Sequence, residues 1–543
     1  MGKLTLISFV TAIILVSLTA KAQWSMDPSN NLVVGYGLLP ELCSDSAGGC
    51  YITYEQNSTY PRHLILERLN RYGYKPWGSG KQILGVLPEQ SHAKITEDGQ
   101  GGVMISYLDV EVTGGPESSV VTTRLRIQRV DSSGNFLWGI NAVRASLAET
   151  DQADQAIVAD GQGGGIVAWQ DSGGQLRAQK LDNMGQMSWG DSGVFAARNT
   201  QQQILTAADT RSGIFVSWIT SVSFVYKLQR ISNSGVLLWD TSGVNLPVGA
   251  TTLVWDGDYG VVMSGFDGSI SNVTYVAQRI DSSGLLRWQR PYLSLADTTQ
   301  SSFTGYPILR DECGSFVFVW PIKSGDLRAQ IVHSDGSIGF PYGGRAISRI
   351  ASNKSIIGTV ASDSATSVCL WFDQRASRGI YAQRLDTLGR QLWDTLDVLV
   401  SIPELSYSQV VTDGSGGLIT VGTRENFTIR AQQVSAQGNL GEVLLEAADH
   451  PATGVPKQID LFQNYPNPFN GSTNISYEIP VSMWVRLDIY DVLGQELRTI
   501  TNKSHPPGKY SIQFEGGDLP SGVYFYVLRS GNTSLHQKFI IMK

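Results

Sequence analysis

One phrase recurs along this chain at a nearly fixed interval, and that recurrence limits the fold more than any other feature. It reads Gln128-Arg129-Val130-Asp131-Ser132-Ser133-Gly134-Asn135-Phe136-Leu137-Trp138 and returns from Gln179 to Trp189, Gln229 to Trp239, Gln278 to Trp288 and Gln383 to Trp393. Two weaker copies keep the glycine and lose the tryptophan: Gln330 with Gly336 and Phe340, and Gln432 with Gly438. An early copy, Glu67 through Gly73 to Trp77, brings the total to eight. The turn glycines at 134, 185, 235, 284, 336, 389 and 438 are separated by 51, 50, 49, 52, 53 and 49 residues. Such a period marks a repeat array rather than a single core that grows with length.

A second phrase lies roughly thirty residues upstream of most copies, clearest as Asp160-Gly161-Gln162-Gly163-Gly164-Gly165 running into Ile166-Val167-Ala168-Trp169. Relatives begin at Asp98 and Asp413. Asp, Asn and Gly supply the positive φ of tight hairpin loops, so each unit reads as four short antiparallel strands joined by an Asp-Gly turn, a variable loop and a Ser-Gly turn. The 58 glycines, 13 tryptophans and 16% charged residues agree with an all-β chain. Four strands per unit of about fifty residues is the pattern of a propeller blade. The fold expected over 31–448 is therefore an eight-bladed β-propeller, with seven blades as the alternative count. The Trp four residues after Gly resembles the docking motif of quinoprotein-type propellers, where it packs between blades, although only two residues separate Asp from Gly here. The sialidase Asp-box fits less well, because its aromatic comes three residues after Gly.

The first 22 residues carry Lys3, an apolar stretch from Leu4 to Leu18, and the small-residue site Ala20-Lys21-Ala22. That is the order of a secretory signal, and the stretch is short for a bilayer-spanning helix of about twenty residues. Cleavage is expected between Ala22 and Gln23. No later segment is long and apolar enough to span a membrane, so the mature chain is expected to be soluble. The net charge of -7 and the lack of a basic stripe argue against nucleic acid as a partner. Cys43 and Cys50 flank a turn and are candidates for a cross-strand disulfide in an exported protein. No C-x-x-C spacing occurs, so no metal site is expected.

In a four-stranded meander the two tight glycine turns of each unit share one face, and the variable connections share the other. Loops on a rigid scaffold are the usual carriers of binding. The longest variable loop, expected at Asp109 to Thr123, and the polar groups Asp171, Asp373 and Arg375 at the ends of second strands are the candidates there. Turn hydrogen bonds and ion pairs are the plainer roles for those three side chains. Of the six histidines no two stand at i, i+4, and no G-x-S-x-G elbow is present. The reading is a non-enzymatic binding or interaction module for a glycan or protein, with a secreted carbohydrate-active hydrolase or lyase as the alternative. No cofactor is expected.

Beyond a linker at 449–458 the repeat gives way to short alternating strands from 459 to 543, the pattern of a small Ig-like β-sandwich. Its opening Tyr465-Pro466-Asn467-Pro468-Phe469-Asn470, its middle Ile489-Tyr490-Asp491-Val492-Leu493-Gly494-Gln495-Glu496, the segment Leu519-Pro520-Ser521-Gly522-Val523-Tyr524, and a basic end in Lys538 and Lys543 follow in order. These segments closely resemble the type A sorting domain of the type IX (Por) secretion system. The resemblance implies handling by the type IX translocon and passage through the bacterial outer membrane by way of the periplasm. It also implies removal of the domain, and release or attachment to surface polysaccharide.

Overall fold

A computed structural model describes residues 24–441 and 459–542, apart from short stretches within them, of which 299–307 is the longest. The signal segment with Ala22 and Gln23, the linker, and Pro466, Pro468 and Lys543 lie outside the described residues. Among those described, regular structure is all strand apart from one 3-10 turn at Glu425–Phe427. Among the described residues no helix is long and apolar enough to cross a membrane.

Residues 32–434 make eight four-stranded antiparallel sheets. In seven of them four successive strands pair in chain order, as in the third: Gln152–Ala159, Gly165–Asp171, Leu176–Leu181 and Val194–Ala197. The first strand of each sheet packs beside the first strand of the next. That of the eighth, Ser406–Thr412, packs beside that of the first, Leu38–Ser44, so the array closes into a propeller-like ring. Second strands are apolar on both faces because each sheet is covered by a neighbour on either side. Trp169, Trp320 and Trp371 are wholly buried there.

The repeated phrase explains how neighbouring sheets are joined. The Gln179 carboxamide accepts the Trp189 backbone N–H at 2.9 Å and donates to the Gly190 carbonyl at 2.6 Å, which pins the end of the phrase to its own third strand. Thus fixed, Trp189 reaches the next sheet, where its indole N–H donates to the Asn233 carbonyl at 2.9 Å. The ring lies where a Cβ on Gly235 would be, 3.0 Å from that position, so only glycine fits beneath it, and at φ 80° the turn also needs glycine for its backbone. The same contact joins Trp138 to Gly185, Trp239 to Gly284, Trp288 to Gly336 and Trp393 to Gly438, with Phe340 on Gly389 in the sixth sheet.

The eighth sheet is assembled from both ends of this region. Its first three strands, Ser406–Thr412, Leu418–Arg424 and Thr428–Val434, are completed by Leu32–Tyr36, with Leu32 opposite Ala431 and Tyr36 opposite Thr428. The tryptophan missing after Gly438 is supplied by Trp24. Gln432 donates to the Ser25 carbonyl at 2.6 Å, as the other glutamines do one residue beyond their tryptophans. The Trp24 indole donates to the Arg71 carbonyl at 2.8 Å and its ring covers Gly73.

Cys43 and Cys50 do not pair. Cys43 is opposite Tyr51 and Cys50 opposite Ser44, so the two sulfurs leave opposite faces of the sheet. Cys43 packs with Ile105 and Tyr107 toward the second sheet, Cys50 with Ile419 and Val421 toward the eighth, and both are buried free thiols. The long variable loop is also revised. Strands Val103–Thr113 and Val120–Val130 continue their pairing out to Thr113 opposite Val120, so most of Asp109 to Thr123 is a projecting hairpin.

Residues 460–541 make two antiparallel sheets, one of three strands and one of four, that share a single apolar core. Ile475, Tyr477 and Phe514 from the smaller sheet meet Leu487, Tyr526 and Phe539 from the larger one.

Two outcomes follow. Trp24→Ala and Trp189→Ala should each destabilise the ring by roughly 3 to 5 kcal/mol in denaturant unfolding, as expected for a buried aromatic truncation. An unchanged midpoint for Trp24→Ala would remove it from the closure. In peptide mass analysis after unfolding without reductant, Cys43 and Cys50 should both take up a thiol-alkylating label.

Candidate functional site

The acids expected as a polar rim sit at the ends of second strands, in different sheets, and both are buried. Asp171 accepts the N–H groups of Gly173 and Gln175 at 3.0 and 3.1 Å and is bonded by Arg177 Nε at 3.2 Å. In the seventh sheet Asp373 lies within 3.6 Å of Lys354 Nζ and 2.5 Å of Arg375 Nη2, and accepts the Trp371 indole N–H at 3.0 Å. Arg375 also bridges to Asp397 at 2.9 Å and lies 3.8 Å from the Tyr381 ring centre. Burial pushes the Asp373 carboxyl up, but hydrogen bonds from Arg375, Ser352 and Trp371 outweigh it and hold it at about 2. Burial draws the Lys354 ammonium down. These groups tie the variable loops to the sheets and present no exposed rim.

Two further clamps of this kind were not singled out from the sequence. Asp109, wholly buried, takes Arg126 Nε at 2.7 Å and the Val86 N–H at 2.9 Å; Glu55 takes Arg62 at 2.9 Å. Their signal was the position itself, an acid in the second half of a second strand followed by an arginine on or just before the third.

With the loops held, the groups presented at the variable-face end of the innermost strands come from a repeated irregularity. Seven of the eight first strands slip register near their start. At four of these bulges, in the eighth, first, second and third sheets in turn, Tyr407, Leu39, His92 and Asp154 have φ between 50 and 54°. Non-glycine residues seldom occupy that region, and their clustering is a pointer to function. Tyr407 is 62% exposed and Leu39 39%. His92 is fixed by its N–H to Glu55 at 2.9 Å and by Ser91 Oγ at its ring nitrogen, also at 2.9 Å. Asp154 is half-buried, which raises its carboxyl pKa, while His92 nearby draws it down. An exposed phenol, an aliphatic side chain, an imidazole and a carboxylate thus share one end of the ring. Among the described residues no three His, Cys, Asp or Glu side chains are grouped to hold a metal ion. The turn from Asp256 to Gly260 spends its first carboxylate on Asp258 N–H, Gly260 N–H and Arg279.

In the C-terminal unit the motif residues build structure. The Phe469 ring packs on Phe514 and Phe539, and its backbone bonds Ile540 and Met542 at 3.0 Å each. Asn467 mimics a strand partner, accepting the Ile540 N–H at 2.9 Å and donating to the Lys538 carbonyl at 3.2 Å. Asp491 accepts the Gln495 N–H at 2.8 Å around Gly494, and Tyr490 takes a bond from Arg529 at 2.7 Å. Past Gly522, Tyr524 stacks on Phe539 and donates to the Pro520 carbonyl at 2.9 Å. Lys538 is exposed.

Residues 463–542 match the family described as Secretion system C-terminal sorting domain. That tail indicates a protein exported to the cell surface or secreted, handled by the type IX secretion system. No curated protein matches the chain. Among solved structures, a eukaryotic initiation factor is similar at 10% identity over 76% of this chain and 89% of its own, with a TM-score of 0.39. A fucose-specific lectin from Aleuria aurantia is similar at 13% identity over 54% and 95%, with a TM-score of 0.31. An oligogalacturonate lyase in complex with manganese is similar at 12% over 61% and 83%, with a TM-score of 0.35. Nothing about activity follows at that level of similarity.

The seventh-sheet clamp gives a stability test. Asp373→Asn leaves Lys354 and Arg375 short of a buried counter-charge and should cost roughly 3 to 5 kcal/mol near neutral pH. Because the folded-state pKa of Asp373 is depressed, its contribution is complete above the ordinary carboxylate value and fades as pH falls through about 2. Unfolding curves of the two proteins should therefore converge in strong acid.

Proposed function

We propose that this chain is an exported eight-bladed β-propeller that works outside the cell as a binding module, delivered there by its C-terminal domain. In this reading 1–22 is a signal peptide cut between Ala22 and Gln23, 31–448 is the propeller, 449–458 a linker, and 459–543 an Ig-like β-sandwich read by the translocon. The domain is then removed or exchanged for a surface polysaccharide anchor. The eight sheets, each packed on the next through an aromatic ring, support the blade count.

The observation that carries the binding role is the division of labour on the variable face. Acids that could serve catalysis, Glu55, Asp109, Asp171 and Asp373, are each held by an arginine and spent on rigidity. The groups left at the surface, Tyr407 and Leu39 beside His92 and Asp154, suit contact with a glycan or protein, since rigid aromatic anchors are favoured where binding must cost little ordering.

Deleting 459–543 in the native host should leave a folded propeller in the periplasm, while the tail fused behind a signal peptide and a fluorescent protein should carry that cargo outside. Normal surface yield of the truncated chain would sink the export reading. Tyr407→Ala should leave export and melting unchanged while weakening capture of the surface partner, measured by pull-down from the native cell envelope.

A further inference from the structure

In a repeat protein a residue that only holds the fold returns in every unit, so one unit that departs toward a less comfortable residue is informative. Such a departure occurs on the glycine-turn face, opposite the loops considered above. The residue next to last in the first turn of the unit is glycine at 48, 101, 163, 314 and 416, with φ from 80 to 99°. In the fifth sheet that position is Tyr259, with φ 61° and 37% of its surface exposed. At two of these turns the glycine lets the chain close against an arginine of the preceding sheet, whereas a Cβ on Gly101 would meet nothing. A Cβ on Gly163 would meet the Arg129 guanidinium at 2.7 Å, and one on Gly416 would meet that of Arg384 at 2.9 Å. The corresponding arginine in front of Tyr259 is Arg230, and the notch between the fourth and fifth sheets stands open around these two side chains. The structure has a pocket of about 620 Å³ at that place, lined by Tyr259, Arg230, Asp209, Asn233, Ser234 and Leu238 among others. That volume is in the range of small-molecule sites.

The lining selects a ligand class. Arg230 is 2.7 Å from Asp209 through Nη2 and 2.8 Å through Nε, so the charged pair is internally balanced and the notch offers an anion no unbalanced cation. Around the pair stand an aromatic ring, the half-exposed Leu238, the Asn233 amide and the paired hydroxyls of Ser232 and Ser234, 3.0 Å apart. Apolar walls beside hydroxyl and amide groups fit a pyranose, whose C–H face is apolar and whose rim is a ring of hydroxyls. We propose that this notch binds a neutral sugar unit of a glycan, with Tyr259 as the platform and the Ser232 to Ser234 turn and the Arg230–Asp209 pair facing the hydroxyls. It is a site beyond the variable-face reading and does not rest on it.

The test uses the mature exported protein and saturation-transfer NMR with neutral mono- and disaccharides of glucose, galactose, mannose, fucose and N-acetylglucosamine, with galacturonate and inorganic phosphate as anionic probes. At least one neutral sugar should bind. Tyr259→Gly restores the residue found in five of the other turns and should keep or raise the melting temperature, yet weaken that sugar at least about tenfold. Tyr259→Phe should retain binding, and Leu238→Ala, at an exposed position, should weaken it without unfolding the chain. Equal binding by Tyr259→Gly, saturation by the anions only, or no neutral sugar bound would each overturn the proposal. If Tyr407→Ala abolishes sugar binding and Tyr259→Gly does not, the sugar sits on the variable face and the notch reading fails alone.

Discussion

The aromatic ring laid on a bare glycine is the contact on which the ring of sheets depends. Each sheet has two apolar faces, and the rim of every interface is fixed by one indole or phenyl of one sheet seated on the turn of the next. A tryptophan has enough apolar area to anchor an interface and an N–H that must find an acceptor once buried. The carbonyl two residues before each glycine supplies it, as Asn183 does for Trp138 at 3.2 Å and Ala436 for Trp393 at 2.8 Å. The glutamine at the start of the phrase sets the height of the ring over its target, so the Gln and Trp of one eleven-residue phrase and the Gly of the next act as one device across two sheets. That is why the three recur together, and why the spacing between glycines varies by only a few residues while the loops between them differ.

Closure places that device across the longest separation in the ring. Asn31 donates to the Val400 carbonyl and to Gln432, and Gln432 to the Ser25 carbonyl, so the closure joins residues 369 to 407 apart. Local hairpins can form early, whereas this interface bears the full loop-closure entropy and is expected to form late. The residues that complete it lie just past the expected signal cleavage site. In the proposed reading, with cleavage after Ala22, Trp24 is the second residue of the mature chain. Export and folding would then meet at one side chain.

The sequence made the array legible because its periodic phrase belongs to the packing itself. Eight copies translate into eight sheets since each copy marks one turn and one inter-sheet contact. The closing arrangement was harder to read: the copy at Gln432 shows that a tryptophan is missing, but nothing near Gly438 says that Trp24 replaces it, because the two are adjacent only once the ring is closed. Cys43 and Cys50 misled for a related reason. Spacing across a turn reports proximity along the ladder and not which face a side chain leaves, and a shift of one residue sends the two sulfurs into different cores. Asp171 and Asp373 looked like surface groups because an acid at a strand end is usually solvated, whereas here each meets an arginine donated by its own sheet or turn.

The bulges were invisible for a further reason. Leu39, His92, Asp154 and Tyr407 share a backbone conformation and no chemistry, so no residue pattern announces them. Their difference from one another is itself a clue to use. Positions that hold the ring are filled alike in every unit, and positions of equal geometry filled by a phenol, an aliphatic chain, an imidazole and a carboxylate are not specified by packing. The same logic separates Tyr259 from the glycines at its position. A propeller-like repeat states its structural requirements many times over, and the sites where one unit disagrees with the others, at equal or greater conformational strain, are where selection for contact with something outside the chain has a physical basis. On that argument the two ends of the ring are distinct surfaces: a loop face held rigid by buried acid and arginine pairs, and a turn face where five sheets place a glycine at the position that Tyr259 fills in the fifth.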